Sequence, residues 1–382
     1  MKAMILAAGV GSRLEPLTCN VPKPMVPVVN RPAMEHIVAL LKKHGYTDVI
    51  ANLWYLPERI RGYFGDGSDF GLSLSYSQEK ELLGTAGGLK KVEGFFDDTF
   101  LVISGDALTD IDLTDMLRFH RGSGALATIA LRRVDDPTRF GVVLTTSDGR
   151  ITGFQEKPKA AEALSNLANT GIYIFERELL NLIPPGAFYD FGKDLFPRLV
   201  AAGAPFYGYA MGGYWCDIGS ITQYRLAQYD VLQGKVELEA FSRLQAASIR
   251  PGVFGGDDCR IDPSARLEGR ILLGRGCTIG RGVWIVGETV IGDNCRIEDN
   301  AMIERSVIWQ NTWVGKEARL TECVVGSECY LHPQARLGRG VILSDACVVE
   351  QRSEVRSNVL IWPGEVIQAG AIISHNLQGA RG

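Results

Sequence analysis

The sequence lacks most of what would commit it to a special environment. No apolar run reaches the ~20 residues that a membrane helix needs. The uncharged stretch 199–216 is broken by Gly203, Pro205, Gly208, Gly212 and Gly213 and reads as loops and a strand. The apolar start, Ala3 to Ala8, is too short for the core of a signal sequence and runs straight into glycines and Arg13. An excess of one charge is also missing: 40 basic against 44 acidic residues leave a net −4, whereas a protein that neutralises nucleic-acid phosphates is usually basic. Eight cysteines in 382 residues, with no Cys-x-x-Cys pair, are too few for a disulfide framework. A cytoplasmic chain with neither membrane nor nucleic acid as partner is expected. What it does have is ordinary globular composition, 46% hydrophobic and 22% charged, at a length that favours two or three domains.

Two grammars divide the chain. As far as about Gln233, short apolar runs alternate with amphipathic ones. Met4–Ala8, Val49–Leu53, Leu72–Tyr76, Phe100–Ile103, Ala127–Leu131, Val142–Thr145 and Ile172–Phe175 read as strands, several apolar at nearly every position, as burial on both faces of a parallel sheet demands. Ala33–His44, closed by Gly45, and Pro57–Phe64, opened by proline, read as helices. The alternation predicts a doubly wound α/β sheet. After about residue 250 an aliphatic residue recurs every six, from Ile261 through Leu267, Leu273, Ile279, Ile285, Ile291 and Ile297 to Ile303. After a phase slip it resumes at Val325, Leu331, Leu337 and Leu343 and continues to Ile373. Neither strand nor helix periodicity produces this. A hexapeptide parallel β-helix does, since each coil of three short strands places one aliphatic per face inside a narrow prism. The boundaries expected are 1–235 for the α/β domain, 236–250 for a linker and 251–376 for the repeat.

The cysteines keep the same measure. Cys259, Cys277 and Cys295 are spaced by 18, as are Cys329 and Cys347, so like residues stack one strand spacing apart in successive coils. A stacked column in a dry prism offers no tetrahedral arrangement for a metal, and packing is the expected role.

Chemistry concentrates in the first domain. Leu6-Ala-Ala-Gly9-Val-Gly11-Ser12-Arg13 follows the first strand, with Pro16 and Pro22-Lys23-Pro24 after it. A glycine-rich turn there lets backbone N–H groups approach a polyphosphate. A dinucleotide fingerprint would need glycine at Leu14, and a P-loop would need Gly-Lys-Ser/Thr; both fail. Arg13 and Lys23, two cations on a proline-flanked loop, suit a substrate with several phosphate charges. Further on, Phe100-Leu-Val-Ile-Ser-Gly-Asp106 is a buried strand delivering an acid to the carboxyl edge of the sheet, where ligands of open α/β sheets gather.

Leu-Ala-Ala-Gly-x-Gly-x-Arg-Leu-x-Pro-Leu-Thr followed by Pro-Lys-Pro-Met resembles the sugar-1-phosphate nucleotidyltransferases, with Ser12 where the family more often has Thr. The resemblance implies a Rossmann-like nucleotidyltransferase domain with a mostly parallel sheet, followed by a left-handed parallel β-helix. It implies that Leu6, Ala8, Gly9, Gly11, Ser12, Gly84, Thr85 and Ala86 contact the nucleotide, the last three through the Leu83-Gly-Thr-Ala-Gly-Gly88 block beside the base. Gly141, Glu156 and Asn169 would face the sugar. Arg13 and Lys23 would bind the β,γ-phosphates and Lys157 the sugar phosphate. Asp106 and Asp217, the latter in Trp-Cys-Asp-Ile-Gly, would hold one Mg²⁺, a hard cation that favours carboxylate and phosphate oxygens. Asp190 and Lys193 lie in a further familiar segment to which no chemistry is assigned.

The implied reaction is NTP plus hexose-1-phosphate to NDP-hexose plus pyrophosphate. The pattern is nearest to mannose-1-phosphate guanylyltransferases, hence GTP and mannose-1-phosphate, with UTP and glucose-1-phosphate as the rival pair. Two other readings stand beside it. The β-helix could transfer acetyl groups, although His332 and His375 are its only histidines and no insertion interrupts the repeat. A regulatory, non-catalytic binder would be expected to have lost some of Arg13, Lys23, Asp106, Lys157 and Asp217, and all are present. The aliphatic ladders and coil edges of the repeat suit a homo-oligomer.

Overall fold

The computed structural model describes residues 1–239, 241–242 and 248–379. Of the expected linker 236–250, residues 240 and 243–247 lie outside the described residues. Ahead of the repeat the elements are β1 (Lys2–Leu6), β2 (Pro27–Val28), β3 (Arg31–Pro32), α1 (Ala33–Lys43), β4 (Asp48–Leu53), α2 (Pro57–Phe64) and β5 (Ser73–Gln78). Then come α3 (Gly84–Lys91), β6 (Phe100–Ser104), β7 (Ala107–Thr109), α4 (Leu113–Gly122), β8 (Ala127–Arg133), β9 (Gly141–Thr145) and β10 (Ile151–Glu156). The series closes with β11 (Leu167–Phe175), α5 (Phe196–Ala201), β12 (Phe206–Ala210), β13 (Trp215–Asp217) and α6 (Ile221–Leu232). Two compact units share these elements: Met1–Val10 with Ala33–Asp217, and Gly11–Pro32 with Ile218–Gly382.

The first unit is built on a mixed sheet of order β10-β9-β11-β6-β1-β4-β5. Its core, β6-β1-β4-β5, is parallel throughout. Ala3, Met4 and Ile5 of β1 and Leu101, Val102 and Ile103 of β6 are fully buried, which is why these strands are apolar at every position instead of alternating. The long β11 runs antiparallel to β6, β8 and β9, and β12 joins β8 in parallel. An aromatic cluster anchors the chain beyond β11. Phe191 lies 5.1 Å from Tyr173, 5.4 Å from Phe175 and 5.6 Å from Phe196, ring to ring. It holds the single π-turn Phe191–Leu195 that leads into α5. One-turn π segments within helices often mark functional sites.

The second unit is a left-handed β-helix with α6 and the Gly11–Pro32 segment packed into it. Its strands stack as three faces of eight, seven and seven among the described residues, parallel except where Ser248–Arg250 meets Val253–Gly255 antiparallel. The aliphatic ladder and Cys277, Cys295, Cys323, Cys329 and Cys347 form one continuous core. The thiols bond to carbonyls of the next coil, as Cys277 to Gly292 O (3.1 Å), Cys329 to Ser344 O (3.0 Å) and Cys347 to Trp362 O (3.1 Å). Thr312 takes the cysteine position between Cys295 and Cys329 and bonds to Gly326 O (2.9 Å).

The phase slip also has a structural form. Register steps by 18 residues at Thr278↔Arg296, by 17 at Arg296↔Trp313 and Trp313↔Tyr330, and by 18 again at Tyr330↔Val348. Two corners, Ile303 to Ile308 and Leu320 to Val325, are therefore five-residue steps. Each turns through a non-glycine residue in the left-handed region, Arg305 (φ 44°) and Glu322 (φ 46°).

Candidate active site

In the first unit, the carboxyl edge of the parallel core gathers the expected residues. Leu6 ends β1, and its carbonyl accepts from Gly105 N–H at 3.0 Å, tying the glycine turn to the Ser104-Gly105-Asp106 turn. Asp106 accepts from Ser104 Oγ at 2.6 Å. Asp217 stands 111 positions later, yet β7 pairs antiparallel with β13 and sets Asp217 directly opposite Ala107. Opposed residues of such a pair are about 5 Å apart at Cα, so the backbones of Asp106 and Asp217 approach within about 9 Å. Both are half-buried. Two carboxylates at one strand edge match the oxygen-donor chemistry of a hard divalent cation. No cluster of three or more histidine, cysteine or acidic ligands occurs among the described residues, so such a cation would complete its shell with phosphate oxygens or water.

The Leu83–Gly88 block is held from two sides. Asn52 Oδ1 accepts from Ala7 N–H (2.9 Å) and Asn52 Nδ2 donates to Glu79 Oε1 (2.8 Å), while Glu79 Oε2 accepts from Leu83 N–H (3.1 Å). Both side chains are almost wholly buried, and a Cβ on Gly88 would lie 2.7 Å from Glu79 Oε1. On the other side Gly87 N–H donates to Tyr189 O and Tyr189 N–H to Leu83 O, each at 2.9 Å. Gly84 (φ +74°) could carry no side chain: its Cβ would meet Tyr189 O at 2.6 Å. The Thr85 hydroxyl is committed to this zipper, donating to Asp190 Oδ2 (3.0 Å) and accepting from Phe191 N–H (2.8 Å). That hydroxyl is therefore engaged within the protein on both sides.

A third group forms around Glu156, the last residue of β10. A Cβ at Gly141 would stand 2.9 Å from Glu156 Oε2, and one at Gly192 would stand 2.6 Å from it. The carboxylate thus lies in a cradle of two glycines. Burial raises its pKa above the ordinary glutamate value; Lys157 beside it, at 3.7 Å, pulls the other way, and Asp190 pushes up again. Lys157 itself is exposed and has φ 45°, its N–H donating to Phe140 O at 3.1 Å. Phe140 meets Trp215 edge-on at 5.3 Å. Asn169 accepts from Gly171 N–H (3.0 Å) and is hydrogen-bonded to the buried Tyr173 hydroxyl, which also feels Asp190 and Glu156. Asp190 caps the π-turn through Gly192 N–H (2.9 Å) and Lys193 N–H (3.2 Å). Asn52, Glu79 and Tyr173 escaped the sequence reading: each is a polar group within an apolar strand or beside the motif, with no local pattern to mark it.

In the second unit, Gly11 (φ 74°) packs on Lys23, to whose Cβ a side chain at position 11 would come within 2.9 Å. Thr18 Oγ1 donates to Gly11 O at 2.9 Å, closing the loop. Ser12 and Arg13 are exposed, Leu14 and Leu17 fully buried, and Lys23 is 8% exposed. His332 packs against Trp313, ring centroids 5.5 Å apart.

Known proteins share this combination. The chain belongs to the nucleotidyl transferase family, whose profile matches residues 2–234, and the profile of the EIF2B subunit epsilon LbH domain matches residues 250–355. More narrowly it is a sugar-1-phosphate nucleotidyltransferase. A UTP–glucose-1-phosphate uridylyltransferase of Synechocystis is 42% identical over 340 residues, 85% of this chain and 87% of that protein. A mannose-1-phosphate guanylyltransferase of Mycobacterium tuberculosis is 35% identical over 305 residues, 79% of this chain and 83% of that one. Among solved structures, a putative glucose-1-phosphate thymidylyltransferase from Bacillus anthracis superposes with TM-score 0.55 at 29% identity, over 60% of this chain and 94% of its own. No helix among the described residues is long and apolar enough to cross a membrane.

Proposed function

We propose that the enzyme makes UDP-glucose and pyrophosphate from UTP and glucose-1-phosphate. The choice of pair is supported by the 42% identity to the uridylyltransferase, which reverses the order suggested by the motifs alone. GTP and mannose-1-phosphate are the second reading, favoured by the guanylyltransferase relative at 35%. The observation that carries nucleotidyl transfer at this edge is the β7–β13 pairing, which sets Asp217 beside Asp106 at the end of the central strand β6.

In this reading a sugar-phosphate oxygen attacks the nucleotide α-phosphorus in line and pyrophosphate leaves. The nucleophile is already anionic near neutral pH, so no side-chain base is required, and catalysis rests on orientation and charge compensation. Arg13 and Lys23 hold the β,γ-phosphates that become the leaving group, with main-chain N–H groups of Gly9, Gly11 and Ser12 beside them. Leu6 and Ala8 line the nucleotide, and Gly84–Ala86 present main chain to its base. Glu156 accepts from sugar hydroxyls beside Gly141 and Asn169, and Lys157 holds the sugar phosphate. Asp106 and Asp217 would hold Mg²⁺, which when bound neutralises charge between the two anionic phosphates. Copies associate through the β-helix, a reading supported by the exposed Trp284, Tyr330, Val366 and Ile372 on its outer faces. The test is pyrophosphate release over a grid of GTP, UTP, dTTP and ATP against mannose-, glucose- and N-acetylglucosamine-1-phosphate. UTP with glucose-1-phosphate should give the highest kcat/KM; inactivity of every pair overturns the assignment.

A further inference from the structure

The loop that carries Arg13 and Lys23 is anchored to one edge of the β-helix prism. Along that edge glycine follows the inner aliphatic in three coils: Gly274, Gly292 and Gly326 follow Leu273, Ile291 and Val325. At Gly292 and Gly326 a Cβ would lie 2.5 Å from Gln310 N and 2.7 Å from Asp345 N, so the stacked coils leave no room for one. Trp309, Ser344 and Trp362 occupy the same column and depart from glycine. Of the three, Trp309 and Ser344 bond through their side chains to the loop or to the helix that holds it. Ser344 Oγ donates to Pro16 O at 2.8 Å, buried and 328 positions away along the chain. Trp309 Nε1 donates to the Tyr224 hydroxyl (2.8 Å), which in turn donates to Pro27 O (2.8 Å).

Helix α6 supplies the rest. Its Gln228 takes Val29 N–H on Oε1 and gives Nε2 to Pro27 O, both at 2.7 Å. Asn30 Nδ2 reaches Ile291 O (2.8 Å), one coil along the same edge. Val29, a β-branched residue at φ 45°, is held in a costly conformation by these contacts. The helix itself sits on the two shortened corners: Tyr229 donates to Arg305 O (2.5 Å), and Arg225 pairs with Glu322 (3.4 Å). The two five-residue steps in the repeat therefore coincide with the helix seat.

We infer that the β-helix is part of the catalytic apparatus: Ser344, and Trp309 acting through Tyr224, are positioning residues that fix the phosphate-binding loop. The inference rests on the proposed roles of Arg13 and Lys23. Without the Ser344 hydroxyl the buried Pro16 carbonyl keeps only the longer bond from Cys19 N–H (3.3 Å) and loses its tie to the prism, and the loop that must present two cations gains freedom.

The full chain, its Ser344→Ala and Tyr224→Phe variants, Arg13→Ala, and the Arg13→Ala/Ser344→Ala double variant would be assayed by pyrophosphate release with UTP and glucose-1-phosphate, or with GTP and mannose-1-phosphate if that pair is active. Each brace variant is expected to raise KM for the nucleotide about tenfold. KM for the sugar phosphate should stay within about twofold, because Glu156, Lys157 and Asn169 belong to the other unit. The double variant should lose less than the product of its two parents, since both act on one group of contacts. Loss of kcat with both KM values unchanged, or multiplicative losses, overturns the inference. An effective Arg13→Ala beside a neutral Ser344→Ala overturns it alone; a neutral Arg13→Ala overturns the site reading and the inference together.

Discussion

Replacing Gly192 by alanine isolates what the glycine cradle does for Glu156. Position 192 has no left-handed backbone requirement, so alanine is conformationally allowed, and in a helical turn it reduces the entropy of the unfolded chain by about 0.4–1 kcal/mol. The new Cβ falls 2.6 Å from Glu156 Oε2 and 3.2 Å from its Cδ. Ordinary contact begins near 3.4 Å, so the carboxylate must retreat by roughly 1 Å, a displacement at which a hydrogen bond to a sugar hydroxyl is lost. A bond to a charged acceptor contributes about 1.5–3 kcal/mol. At 1.36 kcal/mol per decade, that is about a tenfold to hundredfold fall in kcat/KM for the sugar phosphate. Calorimetry should find Tm nearly unchanged, and KM for the nucleotide should hold. Gly62→Ala, where a Cβ meets nothing within 4 Å, is the control and should leave both constants alone. A Gly192→Ala enzyme with native Tm and an unaltered KM for hexose-1-phosphate would refute the role given to Glu156.

Asp106→Asn keeps the acceptor for Ser104 but removes one of the paired charges; turnover at fixed Mg²⁺ should fall by about a hundredfold or more, with native circular dichroism. Turnover near that of the parent would end the metal assignment. The raised pKa of Glu156 means that it protonates at a higher pH than an exposed glutamate, so KM for the sugar phosphate should climb as pH falls through that value. Glu156→Gln should flatten the profile, and Lys157→Met, which removes the neighbour that lowers the pKa, should move the climb to higher pH. In the prism, Leu320→Ala leaves a cavity in a fully buried ladder and is expected to cost about 2–5 kcal/mol in a denaturant titration.

Part of this architecture is legible in the amino-acid pattern. Strands buried on both faces announce themselves by continuous apolarity, and Met4, Val102 and Ile129 fall where expected. The direction of a strand leaves no such trace: β11 reads like its neighbours, yet runs antiparallel to β6. The six-residue ladder specifies the prism because stacking repeats one environment, and the slip near Ile303 marks a real change of coil length. Asp106 can be placed at a strand end from sequence pattern; its meeting with Asp217 depends on the short β7–β13 pairing, which spans three residues and has no periodicity to detect. Asn52 and Glu79 are invisible for another reason, since a buried polar pair is defined by partners 27 positions apart. Trp309, Ser344 and Trp362 are readable in principle as exceptions to a glycine column, once the column itself is recognised.

The interleaving of the two units bears on how such enzymes can be recombined. The chain crosses between them after Val10, after Pro32 and after Asp217. A chimera cut at the compositional seam near residue 250 would carry a foreign repeat with a native Gly11–Pro32 loop and helix, and would inherit mismatched partners for Pro16, Asn30 and Tyr224. Exchange of sugar or base preference between homologues is better attempted by grafting 1–10 and 33–217 together, leaving the loop, α6 and the prism to travel as one.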